Sequence, residues 1–381
     1  MTLICGQKGS TIVLKKKSRM GYIMKILALL LMALLASIVI VVVAARTVTY
    51  YSNRICTENG VDERIYVTLG GQEQYLLIRG EDVSNPVILW LHGGPAGSDA
   101  FVNHLFQKYL VDDYTLINWD QRGCGRTYFR NRKSDPDNES VTFEQAQFDL
   151  DELVAYACER FDKDKIIIVG HSYGTMLGSK YVLDNPDKVQ AYIGVGQFVD
   201  LESDTYSYQD ALKKAKAKGD DTSEMEAAYQ EYLDNGSLLN LMSVRTYAGK
   251  YHVAEKSANT IWAGISSPYM GLDDLRWFTK QIGNLGEYFA LNKQLFDSLL
   301  ITKVRNFGLE YQVPVGFISG ADDWTTPVKY SEDYCNLITA PEKKTAWIDG
   351  CGHAPQYDDP EAFCKELKGM LKEFVTEELE K

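Results

Sequence analysis

The residue types that acyl transfer requires stand near the ends of apolar runs in this chain. Residues 166–174 read IIIVGHSYG, four branched apolar residues running into Gly-x-Ser-x-Gly. On a sharp strand-to-helix turn, Ser172 would stand exposed as a nucleophile, and Gly170 and Gly174 would be small because the two backbones approach closely there. The helix N-terminus beneath the serine would favour developing negative charge. The competing reading is an ordinary turn that contains Gly and Ser. A serine hydroxyl needs a base, and the chain has five histidines, His92, His104, His171, His252 and His353. His353 lies in GCGHAP (350–355), just past the last expected strand. An orienting acid is offered by SGADDWTTP (319–327), as Asp322 or Asp323. The chain order is then Ser, Asp, His, one of the orders in which such triads occur. The plainer alternatives are aspartates that cap a helix and a loop histidine.

An oxyanion also needs donors. LHGGPAG (91–97) follows an apolar run, and its glycines would let backbone N–H groups approach a substrate. The expected pair is the N–H of Tyr173 with that of Gly93 or Gly94. His92 reads as a structural hydrogen-bonding residue of this loop. No CxxC or His/Cys cluster has metal-ligand spacing, and the expected chemistry needs no metal or organic cofactor.

The elements that must position these residues follow from the pattern. ERIYVTL (63–69) and EQYLLIRG (73–80) read as strands joined by Gly70-Gly71. PVILWLHGG (86–94) and YTLINWDQRG (114–123) are short apolar runs that end in glycine. Residues 142–161 have helical spacing. After IIIVGHSYG come a helical stretch ending at Pro186 and a strand, VQAYIGVGQ (189–197). Residues 199–300 show helical patterns only. Alternation resumes with VPVGFISG (313–320), a helix near 328–338, KTAWIDG (344–350) and a terminal helix from about 360. Such alternation predicts a mostly parallel sheet with helices on both faces, where functional groups gather at the carboxyl ends of strands.

Charge and hydropathy bound the rest. Residues 1–46 carry seven basic residues, among them Lys8, Lys15, Lys16, Lys17 and Arg19, and no acidic one. The remainder holds 33 basic and 52 acidic residues, a formal −19. That body disfavours nucleic-acid binding, which depends on neutralising phosphates. Residues 26–45, ILALLLMALLASIVIVVVAA, are twenty predominantly apolar residues, about 30 Å of helix and one hydrocarbon core. Basic residues before them predict a cytoplasmic N-terminus (1–25), a signal-anchor (26–45), a stalk (46–60) and a body outside the cell. The alternative is a signal peptide cleaved near Ala45, with a secreted body. Cys5 precedes the span, and six further cysteines would face an oxidising compartment that permits disulfides.

With these residues in place the chain resembles the prolyl iminopeptidase branch of the α/β-hydrolases, through HGGPAG (92–97), DQRGCGRT (120–127), GHSYG (170–174), GADDWTTP (320–327) and GCGHAP (350–355). The resemblance covers roughly residues 60–370 apart from a weakly matched insertion. It implies an eight-stranded α/β-hydrolase core (61–198 and 301–381) interrupted by a helical cap (199–300). It selects Asp323 over Asp322 as the acid. It implies an aminopeptidase acting on short peptides or aminoacyl amides, with cap carboxylates binding the free amine. The candidates are Glu202, Asp204 and Glu287, together with Asp273 and Asp274. The alternatives are an esterase, lactonase or amidase without the amine requirement, and a membrane-anchored binding module. Two departures lie near the pocket: Ala96 intervenes before Gly97, where the family reads HGGPG, and Cys124 stands where related motifs carry serine. Neither touches the triad, and both bear on substrate choice.

Overall fold

The computed structural model describes residues 9–379, with side chains from residue 20 to residue 374. Cys5, Lys8 and the last two residues lie outside the described residues, as do the side chains of Lys15, Lys16, Lys17 and Arg19. The eight strands are β1 (Val61–Leu69), β2 (Gln72–Gly80), β3 (Val87–Leu91), β4 (Thr115–Trp119), β5 (Ile166–His171), β6 (Val189–Val195), β7 (Val315–Gly320) and β8 (Lys343–Ile348). They form one sheet in the order β1-β2-β4-β3-β5-β6-β7-β8. The hairpin β1-β2 is antiparallel, as is β2 against β4, and the other pairs are parallel. Gly70 and Gly71 both have positive φ, 53° and 77°, which the tight hairpin turn requires.

The sheet is covered on both sides, so its central strands are buried at every position or nearly so rather than alternating. Leu89, Ile117 and Ile168 pack into one cluster with α4 (Phe143–Phe161) and α5 (Tyr173–Asp184). Their neighbours Ile88, Trp90, Ile167 and Val169 face the other way, onto Phe363, Leu367 and Phe374 of the terminal helix α15 (Pro360–Leu379). The same faces also receive the short α2 (His104–Gln107), α13 (Val328–Leu337) and the four-residue α14 (Pro355–Asp358). Helix α4 starts at Thr142, whose side chain accepts from the Gln145 N–H at 3.0 Å, and ends at Asp162 in a left-handed conformation.

Between β6 and β7 the chain runs through α6 (Glu202–Lys218), α7 (Ser223–Asn235), α8 (Leu238–Ala248), α9 (Thr260–Ser266), α10 (Leu272–Gly283), α11 (Leu285–Leu291) and α12 (Lys293–Ile301). Part of this segment has a small core of its own around Tyr208, Met225 and Val244.

Two elements depart from the sequence expectation. Residues 125–131 form a helix, α3 (Gly125–Asn131), directly after the glycine motif. The N-terminal helix α1 (Gly9–Asn53) does not stop at Ala45 but continues through residues expected as stalk. Residues 46–53, RTVTYYSN, contain neither Gly nor Pro to end it, and α1 packs on α9, where Arg46 Nε donates to the Ile265 carbonyl at 2.9 Å. Residues 20–53 are apolar enough to cross a membrane.

Arg122 of the glycine motif ties the hairpin to α4. Its guanidinium meets Asp149 at 2.6 and 2.8 Å, donates to the Gly70 carbonyl at 2.8 Å, and is buried with its partner. Removing one member of such a pair leaves an uncompensated buried charge, a cost of about 3–5 kcal/mol, whereas an apolar pair of similar size is nearly neutral. Asp149→Ala is therefore expected to lower the thermal unfolding midpoint strongly, and the double variant Arg122→Met, Asp149→Leu is expected to recover most of the loss. Equal midpoints for the two would mean that the charge pairing contributes little.

Candidate active site

The turn from β5 into α5 sets the site. Ser172 has φ 53° and ψ −120°, a conformation rare for a residue with a side chain. Its N–H donates to the Val195 carbonyl at 2.9 Å. Its own carbonyl accepts from the Thr175 N–H at 2.8 Å and the Thr175 hydroxyl at 2.6 Å. The flanking glycines are needed for approach: a Cβ on Gly170 would fall 2.5 Å from the Gly174 carbonyl oxygen, and one on Gly174 would fall 2.1 Å from that of Leu91.

His353, in the loop after β8, places Nε2 2.9 Å from Ser172 Oγ. Its Nδ1 lies 2.9 Å from Oδ2 of Asp323, in the loop after β7. A carboxylate only accepts, so Nδ1 carries the proton and Nε2 is left to accept from the serine hydroxyl. Asp323 is buried and also accepts from the N–H groups of Thr325 and Thr326, at 2.8 and 2.9 Å, and from the Thr326 hydroxyl at 2.7 Å. Burial pushes its carboxyl up, but the charge of His353, the hydrogen bond to it and the Thr326 donors outweigh burial and hold it below the usual range. Asp322 is exposed beside it and does not reach the histidine. His171, which sequence reasoning named only as one of five histidines, braces the base: its Nε2 lies 2.9 Å from the His353 carbonyl oxygen and its ring 5.1 Å from the His353 ring. Burial, then the neighbouring His353, lowers its pKa to about 3, so it stays neutral and Nε2 donates to that carbonyl.

Tyr173 opens α5, and its N–H is one of those a helix leaves without an intrahelical partner. Gly93 abuts Ser172, for a Cβ there would lie 3.0 Å from Ser172 Cβ. Gly94 (φ 127°) instead turns the loop back onto Gly97. The loop is held from below by His92, whose Nε2 accepts from the Gln121 N–H at 3.3 Å and lies 3.3 Å from Cys124 Sγ. It is held from above by the helical segment: the Trp277 indole donates to the Ala96 carbonyl at 2.9 Å and the Tyr288 hydroxyl to that of Pro95 at 2.5 Å. Both departures from the family pattern thus have a place. Ala96 adopts φ 59° and gives its carbonyl to α10. Cys124 is buried beneath the loop, with its thiol pushed up by burial.

The carboxylates expected to bind an amine are brought to other partners. Asp204 is buried against Arg245, at 2.6 and 2.9 Å. Glu202 is exposed and pairs with Lys303 at 2.7 Å, and Glu287 is exposed and pairs with Lys280. Asp273 pairs with Arg276, and Asp274 with Arg126. None of the five is left unpaired. What lies beside the site is an apolar cavity of about 410 Å³. Gly97 and Ser98 of the loop after β3 line it, as does Ala354, which follows His353. Phe101, Ile265, Met270 and Phe278 form its walls. The six cysteines among the described residues are unbridged.

The alpha/beta hydrolase fold family matches residues 86–360. A probable aminopeptidase of Bacillus subtilis, YbaC, is 28% identical, over 79% of this chain and 93% of its own length. A proline iminopeptidase of Lactobacillus delbrueckii subsp. bulgaricus is 27% identical, over 76% and 91%. The solved structure of a proline iminopeptidase of Mycobacterium smegmatis superposes with a TM-score of 0.57 over 82% of this chain and 98% of that one, at 18% identity.

Asp323→Asn would offer Nδ1 an amide N–H in place of a carboxylate, so that the ring proton sits on Nε2 and no acceptor is left for the Ser172 hydroxyl. A fall in kcat of roughly 10⁴-fold is expected, the order seen for such a change in other triads. The group also carries a pH signature. Its folded pKa is depressed, so its stabilising contribution is complete above the unfolded value of about 3.9 and is lost as pH falls through the folded value. Thermal midpoints measured between pH 7 and pH 3 should therefore fall less steeply for Asp323→Asn than for the parent chain. Parallel acid limbs would show that the carboxylate contributes nothing to folding.

Proposed function

Because the chain belongs to the alpha/beta hydrolase fold family, we propose that it is a serine hydrolase working through an acyl-enzyme on Ser172. The observation that carries this reading is the unbroken hydrogen-bond chain from Ser172 Oγ through the His353 ring to Asp323. Ser172 Oγ attacks the acyl carbon while His353 Nε2 takes its proton. The oxyanion forms against the N–H groups of Tyr173 and Gly93. His353 then gives its proton to the departing amine or alkoxide. Water attacks the acyl-enzyme, with His353 as base again, and releases the acid and free serine. Asp323 keeps the imidazole in its working tautomer and stabilises the imidazolium.

Two substrate readings each have support. The names of the relatives favour a short peptide or aminoacyl amide with a free N-terminus. That substrate brings an ammonium group which, once desolvated, needs an unpaired carboxylate. The ion pairing of all five candidate acids and the apolar walls of the cavity favour instead an ester, lactone or amide that presents an uncharged acyl group. In either case the chain is read as a basic cytoplasmic segment, one membrane span and a hydrolase body outside, with the helices after β6 as a cap over the site.

Labelling by a fluorophosphonate probe and turnover of aryl esters test the nucleophile together. Ser172→Ala is expected to abolish labelling and to lower kcat by roughly 10⁴–10⁶-fold. Retained labelling with retained turnover would sink the reading. Faster cleavage of Pro-anilide than of its N-blocked form and of aryl esters would place the substrate among free-amine peptides.

A further inference from the structure

Helix α1 leaves its apolar stretch at Ala45, and the next residue, Arg46, is the first charge after the span. A charged residue there, followed by the exposed Tyr50 and Tyr51, marks the level of the lipid headgroups. At this level α1 meets α9. Arg46 donates to the Ile265 carbonyl, and Val48, Thr49 and Ser52 share a groove with Trp262, Ala263 and Ser266. An α1 that spans the bilayer would therefore hold α9 in the interfacial layer. The side chain of Ile265 also lines the apolar cavity that Ser98 and Ala354 line, and so does that of Ile261, one turn earlier and 61% exposed. On α10, Leu275 and Phe278 line the same cavity. Leu272 and Ile282, 75% and 65% exposed, extend that face outward at helical spacing. An acidic body with a formal −19 gives no electrostatic attraction to an anionic bilayer, so contact at this face must come from apolar side chains.

We propose that the cavity mouth, formed by α9 and α10, rests on the bilayer surface and that the enzyme takes single-chain acyl esters directly from the membrane. The inference rests on the serine-hydrolase reading above and on α1 spanning the bilayer. The acyl chain would occupy the cavity of about 410 Å³, a volume ordinary for a ligand site. The head group would stay at the lipid–water boundary near Arg46. Ser172 Oγ bonds to the acyl carbon, the ester C–O bond breaks, and His353 protonates the departing alkoxide. Water then releases the fatty acid.

The test uses the full chain in nanodiscs of palmitoyloleoyl phosphatidylglycerol and phosphatidylethanolamine. Three substrates are compared: p-nitrophenyl acetate, p-nitrophenyl octanoate and a palmitoyl lysophosphatidylcholine. Burial of each added methylene raises kcat/KM by about threefold to fourfold, so the six extra methylenes should put the octanoate roughly 700-fold to 4,000-fold above the acetate, and palmitate should be released from the lysolipid. Leu275→Glu should lower the octanoate-to-acetate ratio at least tenfold, and Leu275→Met should keep it. Independently of any variant's folding, lipids brominated near the headgroup end of the acyl chain should quench a fluorescence component of the parent chain that Trp262→Phe removes. Acetate turnover without a preference for octanoate, or an unquenched Trp262, overturns the inference and leaves the hydrolase reading standing. Failure to turn over any ester, with no fluorophosphonate labelling, overturns the hydrolase reading beneath it.

Discussion

The site depends on a backbone conformation that Ser172 would not adopt on its own. A residue with a side chain at φ 53° and ψ −120° costs of order 1–3 kcal/mol and persists only where its surroundings over-determine it. Here they do. The N–H of Ser172 is fixed to β6 through Val195, and its carbonyl is fixed twice by Thr175. The Thr175 hydroxyl in turn accepts from the Phe198 N–H at 2.9 Å, which ties the first turn of α5 to the chain leaving β6. Strand β5 is buried on both faces, so it cannot rotate to relieve the turn. Gly170 and Gly174 then bring the backbones of β5, α5 and β3 together without a clash.

The same logic accounts for the glycine-rich motif after β4, whose side chains are engaged within the fold. Each of its polar residues braces a different part of the fold. Asp120 accepts from the Ser98 hydroxyl at 2.6 Å and from the Arg126 N–H at 2.9 Å. The Gln121 side chain donates to the His92 carbonyl at 3.2 Å. Arg122 holds the hairpin to α4. Arg126 reaches out to Asp274 at the start of α10, at 3.0 and 3.1 Å through Nε. A buried polar network of this kind is costly if half made and rigid when complete. Complete, it sets the oxyanion loop against Ser172.

Much of this was legible in the sequence, and the misses have physical causes. The short apolar runs IIIVG and VGFISG, each followed by turn residues, mark buried strands, so the strand ends before Ser172 and Asp323 could be placed from them. Strand β8 ahead of His353 is partly exposed and follows instead from the strand–helix alternation. Helix α3 was missed because GRTYFRN is only seven residues long and buries only Gly125 and Thr127, too little for a periodic signal. The choice between Asp322 and Asp323 came from family resemblance, because adjacent aspartates in one loop have no distinguishing local pattern. The ion pairing of the amine-binding candidates was not legible for a deeper reason. A carboxylate's role depends on what pairs with it. The partners of Asp204 and Glu202, Arg245 and Lys303, lie 41 and 101 residues away. Spacing along the chain carries no trace of such pairs.

The departure at Ala96 shows how the cap and the chemistry are joined. A left-handed alanine is disfavoured without a compensating contact, and the contact it has is with α10, where Trp277 and Gln281 both donate to its carbonyl. Gln281 also lines the apolar cavity. Anything that moves α10 therefore moves the loop that sets Gly93 against Ser172. The cavity wall and the loop beside Ser172 are two ends of one short connection. On the proposed reading, an acyl group that fills the cavity and presses on α10 would act on the geometry in which its own carbonyl is attacked. On that reading, binding energy from the remote part of a substrate would appear in kcat rather than in KM alone, and substrates would be distinguished by the part that does not react.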